Sequence, residues 1–320
     1  MVTMKILVTG GAGFIGSHLV DRFVKEGFGV KIIDNLSSGR LENLTQYRNG
    51  SRVEVVMRDL KKMEDALKAV DGADVVFHFA ANPEVRVSTI NPEIHFNENV
   101  VATFNLLEAM RRKDVKELVF ASSSSVYGEP EQIPVSEDAP IRPVSVYGAS
   151  KAACENLIHA YVKLYGMKAV ILRYANVVGP RLRHGVVWDF VNKLRKNPNE
   201  LEILGDGGQI RSYIYIDDAI EATISAWRKS FSNFNVYNVA SEDWLTVDEV
   251  ADEVIKAMGL LGVKRVHKPL LHGVGWPGDV KRIALRIDRL KTLGFTPRFS
   301  SRDAVRLTVK SLLAEMSDKL

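Results

Sequence analysis

Four glycines near the start of the chain follow an apolar run and precede a segment with helical spacing. The apolar run covers residues 6–8, the helical spacing covers residues 14–26, and the glycines are Gly10, Gly11, Gly13 and Gly16. Two glycine-loop registers fit, one that uses Gly11 and one that uses Gly10. This order begins a βαβ unit, in which backbone amides at the helix N-terminus hold a diphosphate. It predicts a parallel sheet covered by helices.

The next strand-like run, residues 30–34, ends in the acid Asp34. This acid lies about twenty residues after the glycines, where a carboxylate accepts hydrogen bonds from the adenosine ribose of a dinucleotide. A negative charge there repels a ribose phosphate, so we expect NAD rather than NADP. Arg40 is a counter-signal, and a solvated loop charge is the alternative interpretation of it.

Strand-like and helix-like segments continue to alternate as far as residue 174. Strands are expected at Val53–Met57, 74–81, 115–122 and Lys168–Tyr174, and helices at 61–70, 92–112 and Val146–Tyr165. This alternation predicts an α/β fold with a doubly wound parallel sheet of Rossmann type. Ligands of such sheets bind at the carboxyl ends of the strands. We therefore expect one site from the residues after those ends, namely the glycine loop, Asp34, Asp59, Ala80, Ala81, residues 122–125 and Asn176.

One predicted helix carries Tyr147 and Lys151, which are four residues apart and so share a helix face. A lysine ammonium beside a phenol stabilises the phenolate and lowers the phenol's pKa. Tyr147 is therefore a candidate general base for a substrate hydroxyl. A serine of the 122–125 run can pass that proton on by hydrogen bond. Taken alone, the pair also fits a surface tyrosine and lysine without a catalytic role.

After Tyr174 the alternation ends, and loops rich in glycine, proline and arginine follow. We expect an NAD-binding domain at residues 1–176 plus about 213–240. A smaller, discontinuous α/β substrate lobe at about 177–212 and 241–320 is expected to close over the strand ends. Short runs at 213–216 and 236–240 are candidate strands of the main sheet. Arginines of these loops suggest an anionic substrate, since guanidinium matches phosphate oxygens, with solvated surface charge as the alternative for Arg181, Arg183, Arg211 and Arg282.

Composition excludes several other classes of protein. The chain has 320 residues and is 46% hydrophobic, which suffices for a large core with a smaller lobe. Its net charge of +4 is spread along the sequence, unlike a nucleic-acid-binding patch. We find no apolar run of membrane-spanning length and no signal peptide before the first strand. Cys154 is a lone cysteine, so neither disulfides nor a metal site are expected. A cytoplasmic protein without nucleic-acid or membrane partners is expected.

In combination, the motifs resemble those of the extended short-chain dehydrogenase/reductases that act on nucleotide sugars, over nearly the whole chain. They are TGGAGFIGSHL at 9–19, IIDNLSSG at 32–39, DL at 59–60, HFAA at 78–81, NV at 99–100, SSSSVYG at 122–128, YGASK at 147–151, RYANVVGPR at 173–181, GDGGQIRSYIYIDD at 205–218 and PGDV at 277–280. Within this family the chain looks most like the 4-epimerases of UDP-glucose and UDP-galactose. Two alternatives stay open, a 4-epimerase of UDP-glucuronate or a UDP-N-acetylhexosamine, and a catalytically idle NAD-binding sensor or scaffold.

The resemblance implies roles for matching residues. Ser123, Tyr147 and Lys151 are the implied catalytic set, in which Tyr147 removes the C4 hydroxyl proton while hydride passes from C4 to bound NAD. The implied cofactor-binding residues are Gly10, Gly13, Phe14, Ile15, Gly16, Asp34, Asn35, Ser37, Ser38, Gly39, Asp59, Leu60, Phe79, Ala80, Ala81, Asn99, Ser122, Tyr147, Lys151 and Tyr174. The implied UDP-sugar contacts are Ser123, Ser124, Tyr147, Asn176, Arg211 and Asp279. Relatives often dimerise through helices that match about 92–112 and 146–165, so we expect a homodimer.

The chain departs from the family pattern at several positions. Trp276 stands where many relatives carry an arginine that helps to hold the diphosphate, and Ser212 replaces a common aspartate. Ser124 and Ser125 stand where related dehydratases carry acids, so nothing here drives an elimination. Ile283 matches a gatekeeper position, and its modest size leaves N-acetylated sugars open.

Overall fold

The computed structural model describes residues 4–47 and 52–317. Its strands are β1 Lys5–Thr9, β2 Gly29–Asp34, β3 Val53–Met57, β4 Val75–His78, β5 Glu117–Ser123, β6 Lys168–Tyr174, β7 Asn176–Val178, β8 Glu200–Leu204, β9 Ile210–Arg211, β10 Tyr213–Tyr215, β11 Phe234–Val239, β12 Leu245–Thr246, β13 Lys264–Lys268 and β14 Arg282–Ile283. Its α-helices are α1 Phe14–Lys25, α2 Met63–Val70, α3 Glu93–His95, α4 Ala102–Arg112, α5 Val146–Tyr165, α6 Gly185–Lys196, α7 Ile216–Lys229, α8 Val247–Ala257, α9 Asp288–Thr292 and α10 Ser301–Ser317.

Seven strands of the described chain form the main sheet, in the order β11-β6-β5-β4-β1-β2-β3. β1 pairs in parallel with β2 on one side and with β4 on the other, so the strand order reverses at β1. This reversal is the topological switch point at which Rossmann-type sheets bind dinucleotides. The predicted fold class is confirmed.

Of the two runs expected as strands of the main sheet, one joins that sheet and the other does not. The run at 236–240 falls in β11, which joins the main sheet beside β6 as expected. The assignment of residues 213–216 to the main sheet is wrong, because β10 pairs with β7 in a separate two-stranded sheet. β10 is only three residues long, and α7 begins directly after it.

The predicted helix over residues 92–112 is helical but not regular. It consists of α3, a π-helical segment at Phe96–Val101 and α4. Such π segments are often found at functional sites. Here the π segment carries Asn99, whose side chain is buried.

The chain divides into two compact units. The first comprises the described residues through Val126 together with Val146–Arg173 and Ala226–Tyr237, and its core packs α2, α4 and α5 against the sheet. The second comprises Tyr127–Ser145, Tyr174–Ser225 and the described residues from Asn238 onward. The boundaries expected from the sequence placed residues 127–145, 213–225 and 238–240 in the NAD-binding domain, whereas all three segments fall in the second unit. Residues 127–145 belong there because Val135 pairs with Leu285 and exchanges backbone hydrogen bonds with Ala284 and Arg286.

Across residues 4–47 and 52–317, none of the helices has both the length and the apolar character that crossing a bilayer would require.

Candidate active site

The glycine loop is held against the end of β4 by close backbone contact. Gly10 has a φ of +69°, and a Cβ there would lie 2.7 Å from the amide nitrogen of Ala80. A Cβ on Gly16 would collide with the carbonyl group of Gly10. Only glycine satisfies both contacts, since the first also requires a left-handed backbone. The loop therefore brings the start of α1 close to the carboxyl end of the sheet.

The N-terminus of α1 is suited to an anion. Gly13 is its N-cap, and among the described residues no side chain caps this end and no acid lies in the first turn. The first amides of a helix carry a partial positive charge and lack intrahelical acceptors. The Gly13 amide itself donates to the Gly10 carbonyl at 3.0 Å, so Phe14, Ile15 and Gly16 are the residues whose amides form the cradle that the sequence predicted for a diphosphate.

Asp34 joins the glycine loop to the loop after β2. Its carboxylate accepts hydrogen bonds from the amides of Ala12 at 3.0 Å and Leu36 at 2.8 Å. Burial raises the pKa of this carboxyl group. Gly39 lies beside the carboxylate, whereas the side chains of Asn35, Ser37 and Ser38 are exposed in the loop that follows. Sequence reasoning missed the bracing role of Asp34, because its partners are backbone amides.

The expected residues on the other side of β1 also follow strand ends. The amide of Phe79 donates to the Thr9 carbonyl, and that of Ala80 to the Thr9 hydroxyl at 3.1 Å. Asn99 donates to the Ser150 hydroxyl of α5 at 2.8 Å and accepts from the amide of Asn82 at 3.0 Å. The structure thus ties the segment after β4, which includes Ala81, to the helix that carries Tyr147.

Asp59 and Leu60 lie in the turn between β3 and α2. The Asp59 carboxylate accepts from the amide of Lys61 at 2.9 Å. Leu60 is buried, and its carbonyl accepts from Asn105 of α4 at 2.9 Å. These contacts order the turn at the end of β3.

Ser123, Tyr147 and Lys151 come together within the first unit. Ser123 ends β5, and its hydroxyl forms a hydrogen bond with the Tyr147 side chain at the start of α5. Lys151 lies one turn further along α5, with its Nζ 6.0 Å from the centre of the Tyr147 ring. The Lys151 amine donates to the carbonyl oxygen of Ala121 at 2.7 Å. The three predicted catalytic side chains therefore lie in one cluster.

The charge states of this cluster differ from the sequence expectation. Burial raises the pKa of Tyr147 to about 12, and the hydrogen bond from Ser123 opposes this rise only in part. Burial lowers the pKa of Lys151 to about 8. In the protein by itself, burial outweighs any lowering of the Tyr147 pKa by Lys151, and the expected activation of the tyrosine stays a prediction. The Lys151 amine is directed at a carbonyl group rather than at the phenol, and desolvation dominates.

Two residues expected to bind the cofactor direct their hydroxyl groups elsewhere. Ser122 donates to the carboxylate of Glu155 at 2.5 Å. In the second unit, the Tyr174 hydroxyl shares a 2.6 Å hydrogen bond with Thr223 of α7. Both side chains are buried, so their hydroxyl groups serve packing in this structure.

In the second unit, Arg211 and Asp279 form an ion pair. The guanidinium Nη2 lies 2.8 Å from the Asp279 carboxylate and also donates to the Val280 carbonyl. The carboxylate accepts in turn from the amide of Gly275 at 2.9 Å. Arg211 is only partly buried, whereas the Asp279 side chain is 2% exposed. Arg211 is thus a pre-positioned cation, and Asp279 is the residue that orients it.

The remaining residues expected to contact the substrate lie on several different elements. Asn176 begins β7, and its amide donates to the Ser212 carbonyl at 3.2 Å. Ser124 belongs to the first unit, directly follows β5 and begins the short 3₁₀ turn Ser124–Tyr127. Arg183 pairs with Glu315 at 2.5 Å and stacks over Trp188, so its charge is already engaged. In the chain as described, no group of three or more His, Cys, Asp and Glu side chains could hold a metal ion.

Comparison with known proteins gives consistent matches. The model of the NAD dependent epimerase/dehydratase family matches residues 6–240. The UDP-glucose 4-epimerase of Mycolicibacterium smegmatis is 36% identical over 314 residues, which cover 96% of this chain and 98% of that protein. A crystal structure of a UDP-galactose 4-epimerase has a TM-score of 0.87 and 47% identity, covering 98% of this chain and 100% of the other. The structure of the Thermus thermophilus UDP-glucose 4-epimerase in complex with NAD has a TM-score of 0.86 and 37% identity, with coverage of 97% and 99%.

Proposed function

Because the chain belongs to the NAD dependent epimerase/dehydratase family, we propose that it interconverts UDP-glucose and UDP-galactose by epimerisation at C4. The observation that carries this proposal is the cluster of Ser123, Tyr147 and Lys151 in the same unit as the glycine loop. A base for a sugar hydroxyl and a dinucleotide cradle are the two parts that a transient 4-keto sugar requires.

The residues of the first unit fit NAD. The backbone of the glycine loop leaves no room for a Cβ at Gly10 or Gly16, and the α1 amides are free of a side-chain cap in the described chain. Asp34 is placed at the end of β2, as NAD-selective sites require. The chemistry that bound NAD supplies is reversible hydride transfer at C4, together with the positive charge of its oxidised form.

Tyr147 is the proposed general base and acid. It removes the proton of the C4 hydroxyl and returns a proton to the same oxygen, since the two sugars differ only in configuration at C4. Ser123 orients the phenol and lowers its pKa by hydrogen bonding to it. Because burial raises the pKa of Tyr147 to about 12, positive charge near the ring must lower it for turnover at neutral pH.

Arg211 is the proposed ligand of the substrate diphosphate. A guanidinium offers five donors in a fixed fork, of which Nη1 donates to the Ile210 carbonyl and Nη2 to Asp279 and the Val280 carbonyl. Phosphate oxygens are proposed to bind the remaining donors or to replace a backbone carbonyl, while the bond to Asp279 is kept. The ion pair holds the side chain in place before binding, which reduces the entropy lost when the substrate is captured. Asn176 and Ser124 are proposed further contacts of the UDP-sugar.

A panel of UDP-sugars with identification of the products tests this function. We expect conversion of UDP-glucose and UDP-galactose into one another, with added NAD leaving the products unchanged. Turnover of only UDP-glucuronate or a UDP-N-acetylhexosamine would move the assignment to those epimerases. A protein that binds NAD but produces no NADH absorbance and no product with any UDP-sugar would be a sensor or scaffold.

The assembly proposed for the enzyme is a homodimer built on the helices at 93–112 and 146–165. Its support is the exposure of large apolar side chains on these helices, with Phe96 57%, Phe104 43% and Leu164 71% exposed. Analytical ultracentrifugation tests it, and a concentration-independent monomer would overturn it. Cytoplasmic action is part of the same proposal and is supported by a single, buried cysteine.

A further inference from the structure

A buried ion pair lies directly behind the catalytic cluster. The carboxylate of Glu155 on α5 accepts from Arg173 Nε at 3.0 Å and from Nη2 at 2.6 Å. It also accepts from the Ser122 hydroxyl at 2.5 Å. Each of the three residues is 4% exposed. Together they join the ends of β5 and β6 to α5, and the proposed mechanism uses none of these side chains.

Glu155 follows Lys151 by one helical turn, so the two side chains lie on the same face of α5. The Lys151 amine is also buried and donates to Ala121, the residue before Ser122. Two cations and one anion are therefore enclosed where the strand and the helix meet. Burying a charge without a partner is costly, so the anion affects both cations.

The other ionisable groups near the Lys151 amine do not supply a negative charge. Burial raises the pKa values of Tyr147 and Cys154, which keeps both groups neutral, and lowers the pKa values of His78 and His95, which keeps them uncharged. Burial also lowers the pKa of Lys151 to about 8, and Cys154 and, after it, Glu155 oppose that change. Among these ionisable groups, Glu155 is thus the one that carries a negative charge.

We propose that Glu155 is a positioning residue of the active site, whose carboxylate, fixed by Arg173 and Ser122, keeps the Lys151 amine protonated. The proposal rests on the role proposed above for Lys151. Removing Glu155 leaves Arg173 and Lys151 as two buried cations, which favours loss of the lysine proton. Removing Arg173 leaves the carboxylate with Lys151 as a buried cation to pair with, which favours the protonated amine.

Two single variants, Glu155→Gln and Arg173→Gln, test the proposal because they should shift the pKa of the Lys151 amine in opposite directions. The pKa of the Lys151 amine is measured from the Cε resonance of carbon-13 lysine-labelled protein, without UDP-sugar, and Lys151→Met identifies the signal. We expect Glu155→Gln to lower this pKa by about one unit or more and Arg173→Gln to raise it. In the active enzyme, the alkaline fall of kcat should move in the same two directions.

Glu253→Gln is the matched control. Glu253 is 5% exposed and pairs in the second unit with Arg302 and Arg306, whose side chains are 42% and 40% exposed, so this variant removes a buried carboxylate and its ion pairs away from Lys151. It should leave the Lys151 titration unchanged. Unchanged titration in both test variants, or shifts of the same sign, would overturn the proposal. If Glu155→Gln does not fold, the proposal is decided by Arg173→Gln. A raised pKa of the Lys151 amine in that variant supports it, and a lowered or unchanged pKa overturns it. A wild-type protein without epimerase activity refutes the proposed function and leaves this titration readable.

Discussion

At the scale of single residues, Asp34 combines a structural task with a proposed selective one. Its carboxylate braces two loops through Ala12 and Leu36, and its charge is proposed to repel the ribose phosphate of NADP. Asp34→Asn keeps an acceptor for one of the amides and removes the charge. We expect NAD to bind much more tightly than NADP to the wild type. In the variant, the ratio of NAD affinity to NADP affinity should fall tenfold or more, since like charges in contact cost several kcal/mol.

Calorimetric titration of both cofactors measures this gap, with Asp71→Asn as the control. Asp71 is an acid on the surface of the same unit that pairs with Lys113. Its loss changes the net charge equally and should not alter the preference. Equal binding of NAD and NADP by the wild type would contradict the assigned role of Asp34.

The arginine of the second unit allows a test of substrate binding that is separate from the cofactor. Arg211→Ala removes the proposed diphosphate ligand and leaves the buried Asp279 carboxylate without its ion-pair partner. UDP affinity should fall by about 2–5 kcal/mol, while NAD affinity stays near that of the wild type. Arg282→Ala is the control, because Arg282 is exposed on the neighbouring strand β14. Unchanged UDP affinity in Arg211→Ala would show that the diphosphate lies elsewhere.

At the scale of elements, a buried histidine connects β1, β4 and α4. His78 shares hydrogen bonds with the hydroxyl groups of Thr9 at 2.7 Å and Thr103 at 2.9 Å, and burial lowers its pKa to about 3. The unfolded chain therefore takes up a proton below about pH 6.5 that the folded protein does not. For each pH unit of acidification between about pH 6.5 and pH 3, this group alone should lower the free energy of unfolding by about 1.4 kcal/mol.

Denaturant unfolding at a series of pH values measures that slope. Comparison of wild type with His78→Gln isolates the histidine, since carboxylates contribute equally to both proteins. The variant should be less stable at pH 7 and should lose less stability on acidification. Parallel stability curves for the two proteins would show that His78 does not carry this pH dependence.

Some elements of the fold follow from the sequence alone, and others do not. The βα alternation predicted the main sheet because strands and helices of such units follow one another locally. The π segment at Phe96–Val101 and the pairing of β10 with β7 were not foreseen. Both depend on contacts between distant parts of the chain. The pKa of Tyr147 depends in the same way on burial, which is a tertiary property that spacing on a helix does not reveal.

At the scale of the whole molecule, each compact unit contributes a separate part of the proposed function. The first holds the glycine loop, Asp34 and the catalytic cluster, and the second holds Arg211 and Asp279. Motifs could point to these residues because glycine loops, strand ends and the spacing of Tyr147 and Lys151 on a helix are local features of the sequence, and their roles stay predictions. The bracing contacts of Glu155 and Arg173 carry no local signal, because their partner residues come from different strands and helices.

Tyr147 is the proposed base of a C4 epimerase, and Tyr147→Phe tests that role with the smallest change to the side chain. The variant loses one hydroxyl group and keeps the ring, which packs edge-on against His95, so the fold and bound NAD should be retained. Its rate of UDP-glucose and UDP-galactose interconversion should fall by about 100-fold or more, since a positioned general base supplies 10²–10⁴. Near wild-type interconversion by a folded, NAD-bound Tyr147→Phe protein would show that Tyr147 is not the base.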